Sequence, residues 1–183
     1  YTLPCTPCEE SYETVTERLR ALLEDTVKRQ MQSDVPLCTF LSGGLDSSVV
    51  TALAAQFDPQ LSTYSFDYQG NDTYFHPTAY QPDADEPWAE KVSHLLHTDH
   101  HRLVCTSEIL LKTLHDSLRA RDLPGMADVD SSLLYFCSLV QKEHTVALCG
   151  ECADEIFGGY PWFHREEALL ARVFPWSPDI HRR

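Results

Sequence analysis

Val35-Pro36-Leu37-Cys38-Thr39-Phe40-Leu41-Ser42-Gly43-Gly44-Leu45-Asp46-Ser47-Ser48 passes from an apolar run, through two glycines, into a second apolar pattern. Residues 35–41 read as a short strand buried on both faces, with Pro36 at its first position, where a missing N–H is tolerated. Ser42, Gly43 and Gly44 break that strand. Leu45, Val49, Ala52, Leu53 and Phe57 then fall on one helical side, so residues 45–57 read as a helix. A strand, a glycine turn and a helix in that order form the opening unit of a parallel sheet.

The same alternation continues outward. Residues 1–10 hold two prolines and the pair Cys5 and Cys8, and read as an irregular lead-in. Val15, Leu19, Leu22, Leu23 and Val27 predict a helix over about 12–32, capped by Ser11 or Thr14. Downstream, Leu61 to Phe66 reads as a strand. Residues 67–86 are polar and aromatic without periodicity, which predicts a functional loop or a surface loop held by its own aromatics. A helix over 87–97, a strand near 101–104, helices over 107–120 and 129–143, and a strand over 145–149 follow. Gly150 breaks this last strand, and short helices run on to about Arg172. Strand and helix alternate throughout, so the expected fold is α/β, a doubly wound parallel sheet with helices on both faces.

The chain has 183 residues, 43% hydrophobic and 23% charged, which fits one globular domain. Its net charge of −14 repels polyphosphate backbones and argues against nucleic acid as a partner. No stretch approaches the roughly 20 apolar residues of a membrane span, so no membrane partner is expected. Seven cysteines are an odd number. Cys38, Cys105, Cys137 and Cys149 lie in apolar runs and read as reduced, partly buried thiols of a cytoplasmic protein. Cys5-x2-Cys8 and Cys149-x2-Cys152 formally spell a zinc pattern, but the pairs lie far beyond ordinary ligand spacing. His97, His100 and His101 read as polar positions at a helix end rather than as metal ligands.

Two stretches carry chemistry. In Ser42 to Ser48, paired glycines let backbone N–H groups converge, a helix N-terminus adds partial positive charge, and Ser42, Ser47 and Ser48 add hydroxyl donors. These make a phosphate cradle. It lacks the lysine of the usual phosphate loop, and Asp46 suits it if a Mg2+ is shared with the phosphates. The plain alternative is a tight glycine turn opening a helix. In Cys149-Gly150-Glu151-Cys152-Ala153-Asp154-Glu155-Ile156-Phe157-Gly158-Gly159-Tyr160, three acids follow a glycine turn. That stretch is either a solvated helix start or a second half of the same site. In a doubly wound sheet, ligands bind beyond the strand carboxyl ends where strand order reverses. The first and last strands are the expected neighbours there, which would place Asp46 and Asp154 facing each other across one Mg2+ and its phosphates.

The string Ser42 to Ser48 resembles the pyrophosphate loop of the ATP pyrophosphatases, the PP-loop enzymes. With Cys149 to Tyr160 it is similar to the glutamine-hydrolysing asparagine synthetases, over about residues 11–172, in their synthetase half. Two departures stand out: Cys149 where the family usually has serine, and Cys152 where it usually has glycine. The resemblance implies an ATP-dependent ligase that adenylates the side-chain carboxylate of aspartate for attack by ammonia. It implies that Ser42, Gly43, Gly44, Asp46 and Ser47 cradle pyrophosphate. Leu41, Phe66, Cys149 and Gly150 would contact adenine and ribose, Asp46 and Asp154 would hold Mg2+, and Glu151 would be the general base. It divides the chain into a lead-in and helix over 1–34 and a synthetase domain over 35–183, incomplete at its C-terminal end. The family's glutaminase domain and a later lysine are absent, so the fragment is expected to bind ATP weakly at best and to make no asparagine. A homodimer stays open. The rivals are a β-lactam synthetase or peptide cyclase of the same fold, separated by a substrate pocket partly in 120–132, and a non-catalytic ATP-binding or zinc-binding module.

Overall fold

The computed structural model describes residues 6–77 and 81–170. Four strands, β1 (Leu37–Phe40), β2 (Ser62–Tyr68), β3 (Asp99–Cys105) and β4 (Val146–Leu148), pair in the order β3-β2-β1-β4, every pair parallel. From β1 the chain steps outward to β2 and β3, then returns to lay β4 on the other side of β1. Strand order therefore reverses between β1 and β4, as the alternation predicts. Register sets Thr39 beside Leu148, so the two strands end side by side. Pro36 lies just before β1, and its carbonyl accepts from the N–H groups of Thr145 and Val146 at 3.0 and 3.4 Å. The residue lacks a donor, but its acceptor still aligns β4.

Helices α1 (Tyr12–Gln30), α2 (Leu45–Ala54), α3 (Asn71–Tyr74), α4 (Glu86–Leu96), α5 (Ser107–Arg121) and α6 (Ala127–Val140) surround the sheet. Two short helices, α7 (Ala153–Phe157) and α8 (Glu166–Leu169), follow β4. The Ser11 hydroxyl accepts from the Thr14 N–H at 3.3 Å and fixes the start of α1. Val27 of α1 joins Ala54, Leu61 and Leu148 in one buried cluster. The opposite face buries Cys38, Tyr64, Phe136 and Val140, with Phe40, Phe66 and Leu103 packed against them. The helices thus cover both faces of a parallel sheet.

Strand periodicity divides these faces by chemistry. Tyr64, Phe66 and Tyr68 of β2 face α6, where the Tyr68 hydroxyl donates to Ser132 Oγ at 2.9 Å. Thr63, Ser65 and Asp67 face the other way, toward α4 and the polar side of β3. This polar face corrects two expectations. The α2 side against the sheet is Ser47, Thr51 and Ala54, whereas Leu45 is 78% exposed. Thr39 and Thr51 share a buried hydroxyl hydrogen bond of 3.0 Å, so hydroxyls face the sheet where an apolar stripe was expected. Residues 67 and 68 also belong to a strand, because Arg102 Nη2 donates to Asp67 Oδ2 at 2.5 Å and Tyr68 pairs with Cys105. A short helix, α3, follows within the stretch read as a loop.

Leu61 is fully buried between α1, α2 and β4. Leu61→Ala should lower unfolding free energy by roughly 2–5 kcal/mol, read as a lower urea midpoint at unchanged slope. An unshifted midpoint would show that this cluster contributes little.

Candidate functional site

A hollow of about 340 Å³ opens beyond the carboxyl ends of the strands. Leu41, Ser42, Gly44, Asp46 and Ser47 form one wall, and Cys149, Gly150 and Glu151 another. Phe40, Tyr64, Phe66 and Phe136 form an aromatic floor, with Phe136 centred 4.9 Å from Phe40 and 4.6 Å from Phe66. Ser65, Asp85 and Glu86 complete the lining. The volume and the mix of apolar floor and convergent polar groups suit a small-molecule ligand.

The loop after β1 is shaped from both ends. Gly43 has φ +83, and a Cβ there would lie 2.6 Å from both Trp88 Cβ and Ala89 N. The loop is therefore seated on the first turn of α4, with Gly43 facing that helix. Ser42 and Ser47 hydroxyls meet at 2.9 Å, the Ser42 N–H donates to Ser47 Oγ at 3.2 Å, and Ser47 Oγ donates to the Gly44 carbonyl at 3.2 Å. Gly44 is the N-cap of α2 and offers no side-chain acceptor, so the first-turn N–H groups receive no cap from it. Asp46 lies in that first turn, on the wall of the hollow.

Gly150 brings the second stretch to the first. A Cβ on Gly150 would lie 2.7 Å from both the Asp46 carbonyl carbon and the Ser47 nitrogen. Only a residue without a side chain lets the two backbones approach this closely. The Ala153 N–H donates to the Gly150 carbonyl at 3.4 Å, and within this turn Cys152 is left-handed, φ 71. Glu151 is exposed at the rim. Asp154 is not among the residues lining the hollow. Its Oδ1 occupies the space a Cβ on Gly159 would need, so that carboxylate is turned toward Gly159. Among the described residues, none of 120–132 lines the hollow.

Several features were not legible beforehand. Asp85 and Glu86 fall at the end of the segment without periodicity, and Phe136 sits on the helix read over 129–143, to which no site role was assigned. Burial raises the Asp85 carboxyl above its ordinary value; Gln81 opposes this and Asp67 adds to it. Ser65 Oγ donates to Glu86 Oε2 at 2.7 Å and lies 3.1 Å from His100 Nε2, while His100 Nδ1 lies 2.8 Å from Thr63 Oγ1. Burial holds His100 below its ordinary value, against the upward pull of Glu86 and Glu90. Cys38 and Cys105 are buried, and burial pushes the Cys38 thiol up to about 12, with Cys137 adding to it. Cys137 and Cys149, expected partly buried, are exposed: Cys149 lies past the end of β4 at the rim, and Cys137 lies on α6. The six cysteines described are free, and Cys5 lies outside the described residues. Among the described residues, no group of three or more His, Cys, Asp or Glu could hold a metal ion. No helix among them is long and apolar enough to cross a membrane.

The glycine loop meets a second glycine turn at the reversal of strand order, the place where doubly wound α/β domains bind their ligands. The chain belongs to the asparagine synthase family, whose model matches residues 18–183. It is 49% identical over 179 residues to asparagine synthetase 3 (glutamine-hydrolyzing) of Bacillus subtilis strain 168, covering 95% of this chain and 29% of that protein. It is 30% identical over 172 residues to asparagine synthetase B (glutamine-hydrolyzing) of Escherichia coli K12, covering 84% of this chain and 29% of that protein. Among solved structures it is similar to the NMN synthetase from Francisella tularensis, with TM-score 0.46 and 14% identity over 85% of this chain and 61% of that one. The chain spans 29% of the length of these two asparagine synthetases.

The His100 network makes stability pH-dependent. With the folded value depressed, the unfolded chain takes up the proton first. The network's contribution is complete above about pH 6.5 and is lost as pH falls from there toward the folded value. Urea unfolding at about pH 7.5 and about pH 5.5 should show a loss that His100→Gln reduces; an equal loss in the variant would remove His100 as its source. At Cys152, replacement by glycine should stabilise by roughly 0.5–1 kcal/mol, the left-handed strain relieved less the added freedom of the unfolded chain. A lowered thermal midpoint would show that the cysteine side chain supports the turn.

Proposed function

We propose that this chain forms the nucleotide-binding part of an ATP-dependent amide ligase. Its reaction adenylates the side-chain carboxylate of aspartate, releases pyrophosphate, and passes the acyl adenylate to ammonia to give asparagine and AMP. The observation that carries this reading is the contact of Gly150 with the Asp46–Ser47 backbone, which puts both motifs around one hollow. The names of the relatives support ammonia as the acceptor and a glutamine-hydrolysing part elsewhere as its source.

In this reading Ser42, Gly43, Gly44 and Ser47 hold the pyrophosphate through backbone N–H groups and hydroxyls at the start of α2. Leu41, Phe66, Cys149 and Gly150 receive adenine and ribose, the base lying over the aromatic floor. The donor set fits Mg2+: the wall offers carboxylates and hydroxyls and, among the described residues that line it, no Lys or Arg. Asp46 would hold the ion from the hollow, whereas the Asp154 carboxylate, turned toward Gly159, does not line it. Once bound, the ion supplies charge neutralisation to the departing pyrophosphate. Glu151, at the rim, takes the proton from ammonia as it attacks the acyl carbon. The protein otherwise contributes positioning, aligning the aspartate carboxylate with the α-phosphate.

Asp46→Asn keeps the side-chain shape and removes the charge. Titration calorimetry of the native protein should show about tenfold or greater loss of Mg-ATP affinity, with the thermal midpoint little changed. Unchanged affinity would remove Asp46 from the site. Exchange of labelled pyrophosphate into ATP that requires aspartate, and is not supported by glutamate, checks the substrate.

A further inference from the structure

Cys149 and Cys152 are held in one turn, and the described fold makes little use of either thiol. Both are exposed and free, and neither belongs to a buried cluster. Cys149 stands on the wall of the hollow, just past β4. Cys152 holds φ 71, a conformation that costs an L side chain energy and costs glycine none. What a cysteine adds at such a position is its sulfur chemistry. The Cys-x-x-Cys spacing across a single turn is one in which two thiols close a ring. Cys38 and Cys105 are buried and cannot compete for an external reagent.

We propose that Cys149 and Cys152 form a thiol–disulfide pair that changes the shape of the site wall, with a low-molecular-weight disulfide as the oxidant. One of the two cysteines, as thiolate, attacks a sulfur of the external disulfide. That S–S bond breaks, one thiol leaves carrying a proton, and a mixed disulfide remains on the protein. The second cysteine thiolate then attacks the protein sulfur of the mixed disulfide, forms the Cys149–Cys152 bond and releases the second small thiol. The small disulfide is reduced to two thiols as the two cysteines are oxidised.

The consequence follows from what the ring encloses. Gly150 and Glu151 lie between the two sulfurs, and Gly150 is pressed against the backbone of Asp46 and Ser47. Residues 149–151 also separate the hollow from an apolar groove lined by Leu45, Val49 and Ile156. Closing the ring moves this partition against the loop. The effect on nucleotide rests on the function proposed above; the disulfide and the disturbance of the loop do not.

The native protein, treated with glutathione disulfide and mapped by mass spectrometry, should yield a peptide spanning 149–152 lighter by two hydrogens. That peptide should resist alkylation until dithiothreitol is added. Hydrogen exchange across residues 42–48 should be faster in the oxidised form, and Mg-ATP affinity should fall at least about tenfold and recover on reduction. Cys152→Gly should keep the reduced protein's exchange pattern and affinity and should form no internal link. Full alkylation of both cysteines after treatment would overturn the pair. A disulfide that leaves exchange over 42–48 unchanged would overturn its effect on the wall. If the reduced protein binds no ATP, the proposed function fails, while mass and exchange still decide this inference.

Discussion

The site exists because two strand ends meet with no side chain between them. β1 and β4 are parallel neighbours, and parallel strands lie roughly 4.8 Å apart. As the chains leave the sheet, Gly150 lies so close to Asp46 and Ser47 that a single methyl group would overlap both backbones. The N-terminus of α2, the serine cluster and the rim carboxylate Glu151 converge only under that condition. Gly43 sets the matching limit on the far side of the loop, where Trp88 and Ala89 of α4 leave no room for a Cβ. The loop is thus fixed between a neighbouring strand end and a helix start.

The second organising feature is a sheet with chemically different faces. Its aromatic face, built by Phe40, Tyr64 and Phe66 against Phe136, supplies the apolar floor. Its polar face holds α4 through Ser65, His100 and Glu86, and α4 in turn seats Gly43. Burial tends to raise the Asp67 carboxyl, but Arg102, the Tyr68 N–H and Asn71 outweigh it and keep the group below its ordinary value. A charge held this way fixes β2 to β3 as far as Tyr68, which carries the pairing past the residues that apolar patterning marks as strand. Positioning of the loop after β1 therefore depends on a polar network one layer below it.

What the sequence disclosed and what it hid follow from these two features. The strand, glycine turn and helix at 35–57 were legible because glycines and apolar runs are strong local signals. The neighbouring of β1 and β4 followed from the alternation alone. The buried side of α2 was hidden, because apolar periodicity does not register a helix that meets a sheet through Ser47 and Thr51. Asp85 and Glu86 were hidden because the segment before them has no period, and their place depends on packing of α4. The orientation of Asp154 was hidden for a different reason. Spacing puts a carboxylate near a strand end, but the path of α7 and Gly159 decides where it points.

The electrostatics of the hollow bear on how a chain of net charge −14 would take the anion of the proposed function. Asp46, Asp85, Glu86 and Glu151 stand on its wall, and no Lys or Arg among the described residues joins them. Side-chain charge alone would expel a phosphate. What remains favourable is short-ranged: the uncapped first turn of α2, the loop N–H groups and the serine hydroxyls. These act over a few ångströms, whereas the field of the acidic surface is screened over about 8 Å at physiological salt. A divalent cation entering with the anion reverses the sign of the carboxylate contribution, turning acids that repel a bare phosphate into groups that hold the complex. Under the proposed function, such an acid-rich wall would favour a metal-bound polyphosphate over the free anion, with Asp46, in the first turn of α2, where helix field and cation would meet.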